Sequence, residues 1–304
     1  MPIYASIFKD PLSIGAAKNE LGLKWIVDAC KLFGFGVNVW FLVICALYYG
    51  LTLRATKLLS PNNWEHIFIT FMLAFSTFAY AVGCIRNGLA LASLTFGFSL
   101  FLTKKWVSRY VSFLFFVFAF MTHKSAIVPL VCFFAAFYFV NVKRAILFWL
   151  FALIISLTIG DKVSDLFFGL GFDDRLDTYI NDVNYEGFSH AGFRWDFLLY
   201  SIMPIILGYY IVIKKGVRNR IYEILLSTYV LANAFWVMVI RAQFSDRFAY
   251  LSWFLYAIVI AYPLFSTNIW GNKQGRIAKR ILYIHLAFTL FMNLIYYTLI
   301  KTVL

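Results

Sequence analysis

The side chains best suited to chemistry sit at the edges of long apolar runs. Arg86 stands in CIRNGLALAS, and His123 and Lys124 stand in FMTHKSAIVPL. Arg194 and Asp196 stand in GFRWDF, and Arg241, Asp246 and Arg247 in RAQFSDRF. Arginine's planar fork makes paired hydrogen bonds to phosphate, so Arg86, Arg194, Arg241 and Arg247 are candidate contacts for a phosphate or diphosphate, with Lys124 as supporting charge. Asp196 and Asp246 suit general-base work or the orientation of a neighbouring arginine. His123 is read as a hydrogen-bond donor or proton shuttle. Trp195 and Tyr250 offer faces for stacking on sugars, although aromatic rings at such positions also form the interfacial belt of membrane proteins. The bland alternative for each cation is a side chain that snorkels to the headgroups.

What positions these groups depends on the solvent around the chain. Of 304 residues, 62% are hydrophobic, 21% aromatic and only 13% charged. A soluble domain carries about 25% charged residues and about 45–50% apolar ones. Continuous apolar runs recur over the whole length, so we expect an all-α polytopic membrane protein with one transmembrane domain over 1–304. A crossing needs about 20 apolar residues at about 1.5 Å each. Ten spans are expected, near 38–57, 66–85, 87–102, 106–122, 125–141, 145–160, 195–213, 221–240, 247–265 and 281–300. From Ile67 to Leu102 the only charge is Arg86. One straight helix of that length would reach about 54 Å, too long for a single crossing. Gly83, Asn87 and Gly88 therefore mark a hairpin turning at Arg86. The same reasoning divides 106–141 at His123–Lys124.

The net charge of +13 follows the resulting topology. Alternate loops hold Arg54 and Lys57; Lys104, Lys105 and Arg109; Lys143 and Arg144; Lys214, Lys215, Arg218 and Arg220; and Lys273, Arg276, Lys279 and Arg280. Those loops contain 15 of the 27 basic residues and two of the 14 acids, Glu65 and Glu223, a balance of +13; the other side, with both termini, holds 12 of each. Basic loops face the cytoplasm, so the termini and the candidate site are expected outside. Topology absorbs the whole net charge, which removes the reason to invoke nucleic acid. The four cysteines are scattered without ligand spacing, so neither a metal site nor a disulfide framework is expected. A large outer loop from Asp161 to about Phe193–Arg194 carries seven acids, read as a solvated connector or a functional loop.

Arg86, Lys124, Arg241 and Arg247 lie at short outer turns, where positive charge is disfavoured. A charge at a helix centre in the membrane costs about 2.5–3.5 kcal/mol, and less toward the ends. A cationic cup open to the outer leaflet suits a lipid-linked diphosphate. Two other classes fit less well. A flippase or transporter for such lipids needs polar groups at the midplane, and a membrane glycan acyltransferase needs its His and Arg nearer the cytoplasm.

CIRNGLALAS, then KKW, then FMTHKSAIVPL, followed by GFRWDFLLYS and DRFAY, resembles the EpsG-like branch of the Wzy-type polysaccharide polymerases. Arg86, Lys104–Lys105, His123 with Ser125, then Arg194, Trp195, Asp196, Asp246, Arg247 and Tyr250 carry the likeness over roughly residues 4–265. The resemblance implies a helical fold akin to integral-membrane GT-C-like polymerases. It also implies polymerisation of undecaprenyl-diphosphate-linked repeat units of O-antigen, capsule or exopolysaccharide at the outer face of the bacterial inner membrane. The implied partners are those lipid-linked oligosaccharides, membrane lipids and a chain-length regulator. No cofactor and no metal are expected; Asp173–Asp174 is adjacent rather than spaced like a DxD pair. The family pattern begins with a further span before the segment corresponding to YASIFKD, and that N-terminal span is expected to be missing here.

Overall fold

Apolar segments in a bilayer must satisfy every backbone N–H and C=O internally, and without closing strands that leaves the helix. The computed structural model describes residues 2–9, 21–103, 105–169, 192–242 and 245–294, and among these every regular element is helical. In chain order the helices are α1 (Pro2–Lys9), α2 (Leu21–Leu32), α3 (Val37–Leu59), α4 (Trp64–Met72), α5 (Phe75–Val82), α6 (Ile85–Leu102) and α7 (Trp106–Thr122). After a 3-10 turn at Lys124–Ala126 come α8 (Ile127–Tyr138), α9 (Val142–Gly169), α10 (Trp195–Gly208), α11 (Arg220–Met238), α12 (Ser245–Trp253), α13 (Tyr256–Ser266) and α14 (Gln274–Leu294).

Among the described residues, seven helical stretches are long and apolar enough to cross a membrane: Val37–Leu59, Ile85–Leu102, Val142–Val163, Trp195–Lys214, Arg220–Met238, Ser245–Ser266 and Gly271–Leu294. The chain is a multi-pass membrane protein. The other three expected spans are also helical. Trp106–Thr122 and Lys124–Tyr138 are shorter apolar helices, and the region 66–85 is broken into α4 and α5. That break contains neither Gly nor Pro. Ala74 leaves the helical region (ψ 143°), and the Thr77 hydroxyl then donates to the Phe71 carbonyl. A hydroxyl supplied by the next helix makes the interruption tolerable in an apolar setting. Other boundaries also differ from expectation. The turn before α6 falls at Gly83–Cys84, so Arg86 lies in the first turn of that helix. α9 continues past Asp161 through a kink at Ile159, so the acidic loop begins as helix. Asp173, Asp174, Asp177, Asp182 and Glu186 lie outside the described residues.

The centre of the bundle is α6, α11 and the α12–α13 pair. Of the apolar window of α6, 89% is buried, against 22% for the Gly271–Leu294 stretch. Peripheral helices turn Trp106, Leu114, Phe151 and Ile284 outward, as lipid requires. The central position of α6 follows from its small residues, which let neighbouring backbones approach closely. A Cβ on Gly88 would meet the Tyr80 Cβ at 2.9 Å, and one on Gly97 would meet the Phe116 ring at 2.5 Å. Buried polar groups then join the helices. Asn233 of α11 accepts from Trp149 Nε1 of α9 at 2.8 Å and donates to Ser252 Oγ of α12 at 3.0 Å. Trp253 Nε1 donates to Ser201 Oγ of α10 at 2.7 Å, and Tyr229 donates to the Ser201 carbonyl at 2.8 Å.

The two ends of the bundle are each tied together. At the basic end, Asn63 donates to the Phe265 carbonyl, Gln274 to the Leu264 carbonyl and Arg220 to the Phe137 carbonyl. At the other end, Tyr4 donates to the Gly83 carbonyl, Gly22 packs on Thr122, and Arg241 pairs with Asp161. This second end carries the candidate site.

Candidate functional site

Three helices that carry candidate residues begin at the site end: α6 at Ile85, α10 at Trp195 and α12 at Ser245. Their first turns hold Arg86 (α6) and Asp246 with Arg247 (α12), while Arg194 is the residue before α10. A helix N-terminus carries about half a positive charge and unpaired N–H groups, so three that share an end favour an anion there. The cations add to that field.

Arg194 is the best defined of them. Its Nε and Nη2 donate to the two carboxylate oxygens of Asp196 at 2.9 and 2.6 Å, a bidentate pair. Its guanidinium lies 3.6 Å from the centre of the Phe197 ring. Carboxylate and ring together fix the plane of the fork, which is how an arginine is pre-organised for an oxyanion. The charges of Arg247 and Arg194 both act on the partly buried Asp246 carboxylate. The Cys84 thiol, in the turn before α6, feels Asp246, Arg247 and Arg86. Residues from three separate turns, at positions 86, 194 and 246–247, thus share one electrostatic neighbourhood.

The other candidates are arranged around this group. His123 caps α7, its backbone N–H bonded to the Ala119 carbonyl at 2.9 Å; the 3-10 turn that contains exposed Lys124 packs against α6. Both therefore belong to the site end. Arg241 is engaged differently. It pairs with Asp161 at 3.6 Å, donates to the Ser156 carbonyl at 3.3 Å and lies over the Phe193 ring. It clasps the end of α11 to the site-end half of α9 and to the segment leading into α10. Trp195 is exposed and packs against Phe193, with the ring planes tilted by 45° and 4.3 Å between ring centres. Tyr250 is buried; its ring packs on Tyr80 and Trp253, and its carbonyl accepts from the Tyr80 hydroxyl.

Several residues at this end were not singled out from sequence as site residues. Tyr80 joins α5 to α12, one turn after Asp246. Asn87 is 6% exposed, and its Oδ1 meets no hydrogen-bond partner among the described residues. Phe197 carries the Arg194 stack. A polar residue beside Arg86 in an apolar run was the one available signal, and it pointed to Asn87. The segment before α3 was given no structural part in the sequence. Instead Ile7, Phe8, Leu23, Val27, Cys30 and Trp40 pack with Ile44 and Ile85 as a second core. α1 and α2 therefore brace the two turns that hold Arg86 and His123.

The model of one protein family, described as the EpsG family, matches residues 2–302. No curated protein and no solved structure matches the chain.

Proposed function

This chain belongs to the EpsG family, and from that premise we propose that it is a polymerase of polysaccharide biosynthesis acting on undecaprenyl-diphosphate-linked repeat units. Membership points to polymerase-like chemistry on polysaccharides; the lipid diphosphate is the finer part of the proposal. The reaction breaks the bond between the anomeric carbon of the growing chain and its diphosphate oxygen. It forms a glycosidic bond to a hydroxyl oxygen of the incoming lipid-linked unit. The hydroxyl proton leaves to a base, and undecaprenyl diphosphate departs.

The single observation that carries this reading is the shared neighbourhood of Arg86, Arg194 and Arg247 at three helix N-termini. Charge builds on the diphosphate as the bond breaks, and fixed donors aimed at developing charge are worth about 3–4 kcal/mol each in comparable sites. Arg86, Arg194 and Arg247 hold the diphosphate. Asp196 orients Arg194, and Asp246 orients Arg247. His123 donates to the substrate or passes the acceptor proton, Lys124 adds charge, and Trp195 supplies a ring at the sugar-bearing side. Arg241, given its contacts with Asp161 and Phe193, holds the surrounding wall. The site faces the periplasm of a bacterial inner membrane, as the distribution of basic loops supports.

The test is replacement of Arg86 or Arg247 by Ala in cells that make the glycan, with membrane insertion verified. Long chains disappear while single repeat units remain displayed outside. Persisting long chains defeat the assignment of those arginines. Loss of the single units as well would move the function to translocation of the lipid.

A further inference from the structure

A groove opens on the lipid-facing side of α3, against α5 and the start of α6. It has a volume of about 350 Å³ and is lined by Phe41, Leu42, Cys45, Tyr48, Tyr80 and Ile85 among others. Its walls are almost wholly apolar, and its size falls within the roughly 300–1,000 Å³ of small-molecule sites. Leu42 is 66% exposed at its mouth, and Cys45 is exposed. Along α3 the lining runs from Phe41 to Tyr49, about 12 Å at the helical rise. It begins a turn below the site end of a helix that crosses the membrane, so it descends through about one leaflet.

Two features join this groove to the cationic group. Ile85 lines it, and Arg86 is the next residue. Tyr80 forms its inner wall and donates its hydroxyl to the Tyr250 carbonyl, one turn beyond Asp246. An occupant is therefore apolar along its length and anionic at its upper end. We infer that the groove holds the isoprenoid tail of the lipid-linked substrate while the diphosphate rests against Arg86 and Arg247. This inference rests on the polymerase reading and adds to it the place where the lipid is held.

The test uses the full chain in proteoliposomes. The probe is an undecaprenyl diphosphate analogue with a benzophenone in its first isoprene units, and polymerisation of lipid-linked repeat units is followed in the same preparation. After illumination, the attached peptides should be those containing residues 41–49 and 80–85, and unlabelled undecaprenyl diphosphate should suppress the labelling. Leu42→Trp and, separately, Cys45→Trp should each lower labelling about tenfold and raise KM for the lipid-linked unit with kcat retained. Both side chains are exposed, so neither change displaces the core. Labelling of other helices while polymerisation proceeds would overturn the groove and leave the function standing. So would labelling that a benzophenone phospholipid reproduces and that undecaprenyl diphosphate does not suppress. Competed labelling of the groove in a preparation that never polymerises would support the groove and defeat the polymerase reading.

Discussion

Asp196 is open to two roles, and Asp196→Asn separates them. The substitution keeps the shape of the side chain and removes its charge. The Arg194–Asp196 pair has two hydrogen bonds, with side-chain exposures of 14% and 37%. Hydrogen bonds to charged groups contribute about 1.5–3 kcal/mol when buried, whereas exposed ion pairs contribute about 0.2–1 kcal/mol. A pair with one partly open partner lies between these, at about 1–2 kcal/mol, which corresponds to a loss of about 5- to 30-fold in kcat/KM if Asp196 only orients the arginine. Loss of a general base costs about 10²–10⁴-fold. The assay is the initial rate of chain extension in membranes supplied with lipid-linked repeat units, for Asp196→Asn, Arg194→Ala and the double variant. The orienting role predicts that Asp196→Asn changes the rate less than about twofold once Arg194 is gone, because the two residues act as one unit. A fall beyond about 100-fold that persists unchanged in the Arg194→Ala background would refute the reasoning and make Asp196 the base.

Three further outcomes follow from the packing. Gly88→Val forces a side chain into Tyr80, so the purified protein should lose about 1–3 kcal/mol of stability, read as a lower thermal midpoint in detergent. Asn233→Leu removes the acceptor of Trp149 and the donor to Ser252; stability should fall by about 0.6–2 kcal/mol, with the substrate KM unchanged. Arg241→Met leaves Asp161 and the Ser156 carbonyl without their cation; protease cleavage between α9 and α10 should speed up, while kcat falls less than in Arg247→Ala.

The helical architecture was legible because a bilayer leaves few options. Apolar runs of about 20 residues become helical because their backbone must bond internally, although the run at 66–85 does so in two pieces. The basic loops could be counted for the same reason, since their charge reports topology rather than packing. The gathering of Arg86, Arg194 and Arg247 could be anticipated only as a coincidence of depth. Their lateral approach depends on tertiary packing, in which Tyr80 of α5 lies against Gly88 of α6 and donates to the Tyr250 carbonyl of α12, and spacing does not reveal that. The break at Ala74 was hidden because the group that tolerates it, the Thr77 hydroxyl, works through a bond back across the break. Arg241 looked like the other arginines in sequence, yet its partner Asp161 lies 80 residues away. The role of α1 and α2 was hidden too, because helices of 8 and 12 residues are too short to read as crossing segments.

The central claim is that the cations gathered at the site end release a lipid diphosphate as glycan chains grow. Purified protein in liposomes, given undecaprenyl-diphosphate-linked repeat units alone, should make long chains and free one undecaprenyl diphosphate per unit added. Arg247→Ala should lose both products together by about 10²–10³-fold. Chains that lengthen equally well without Arg247, or lipid-linked units that merely cross the bilayer without joining, would contradict the account.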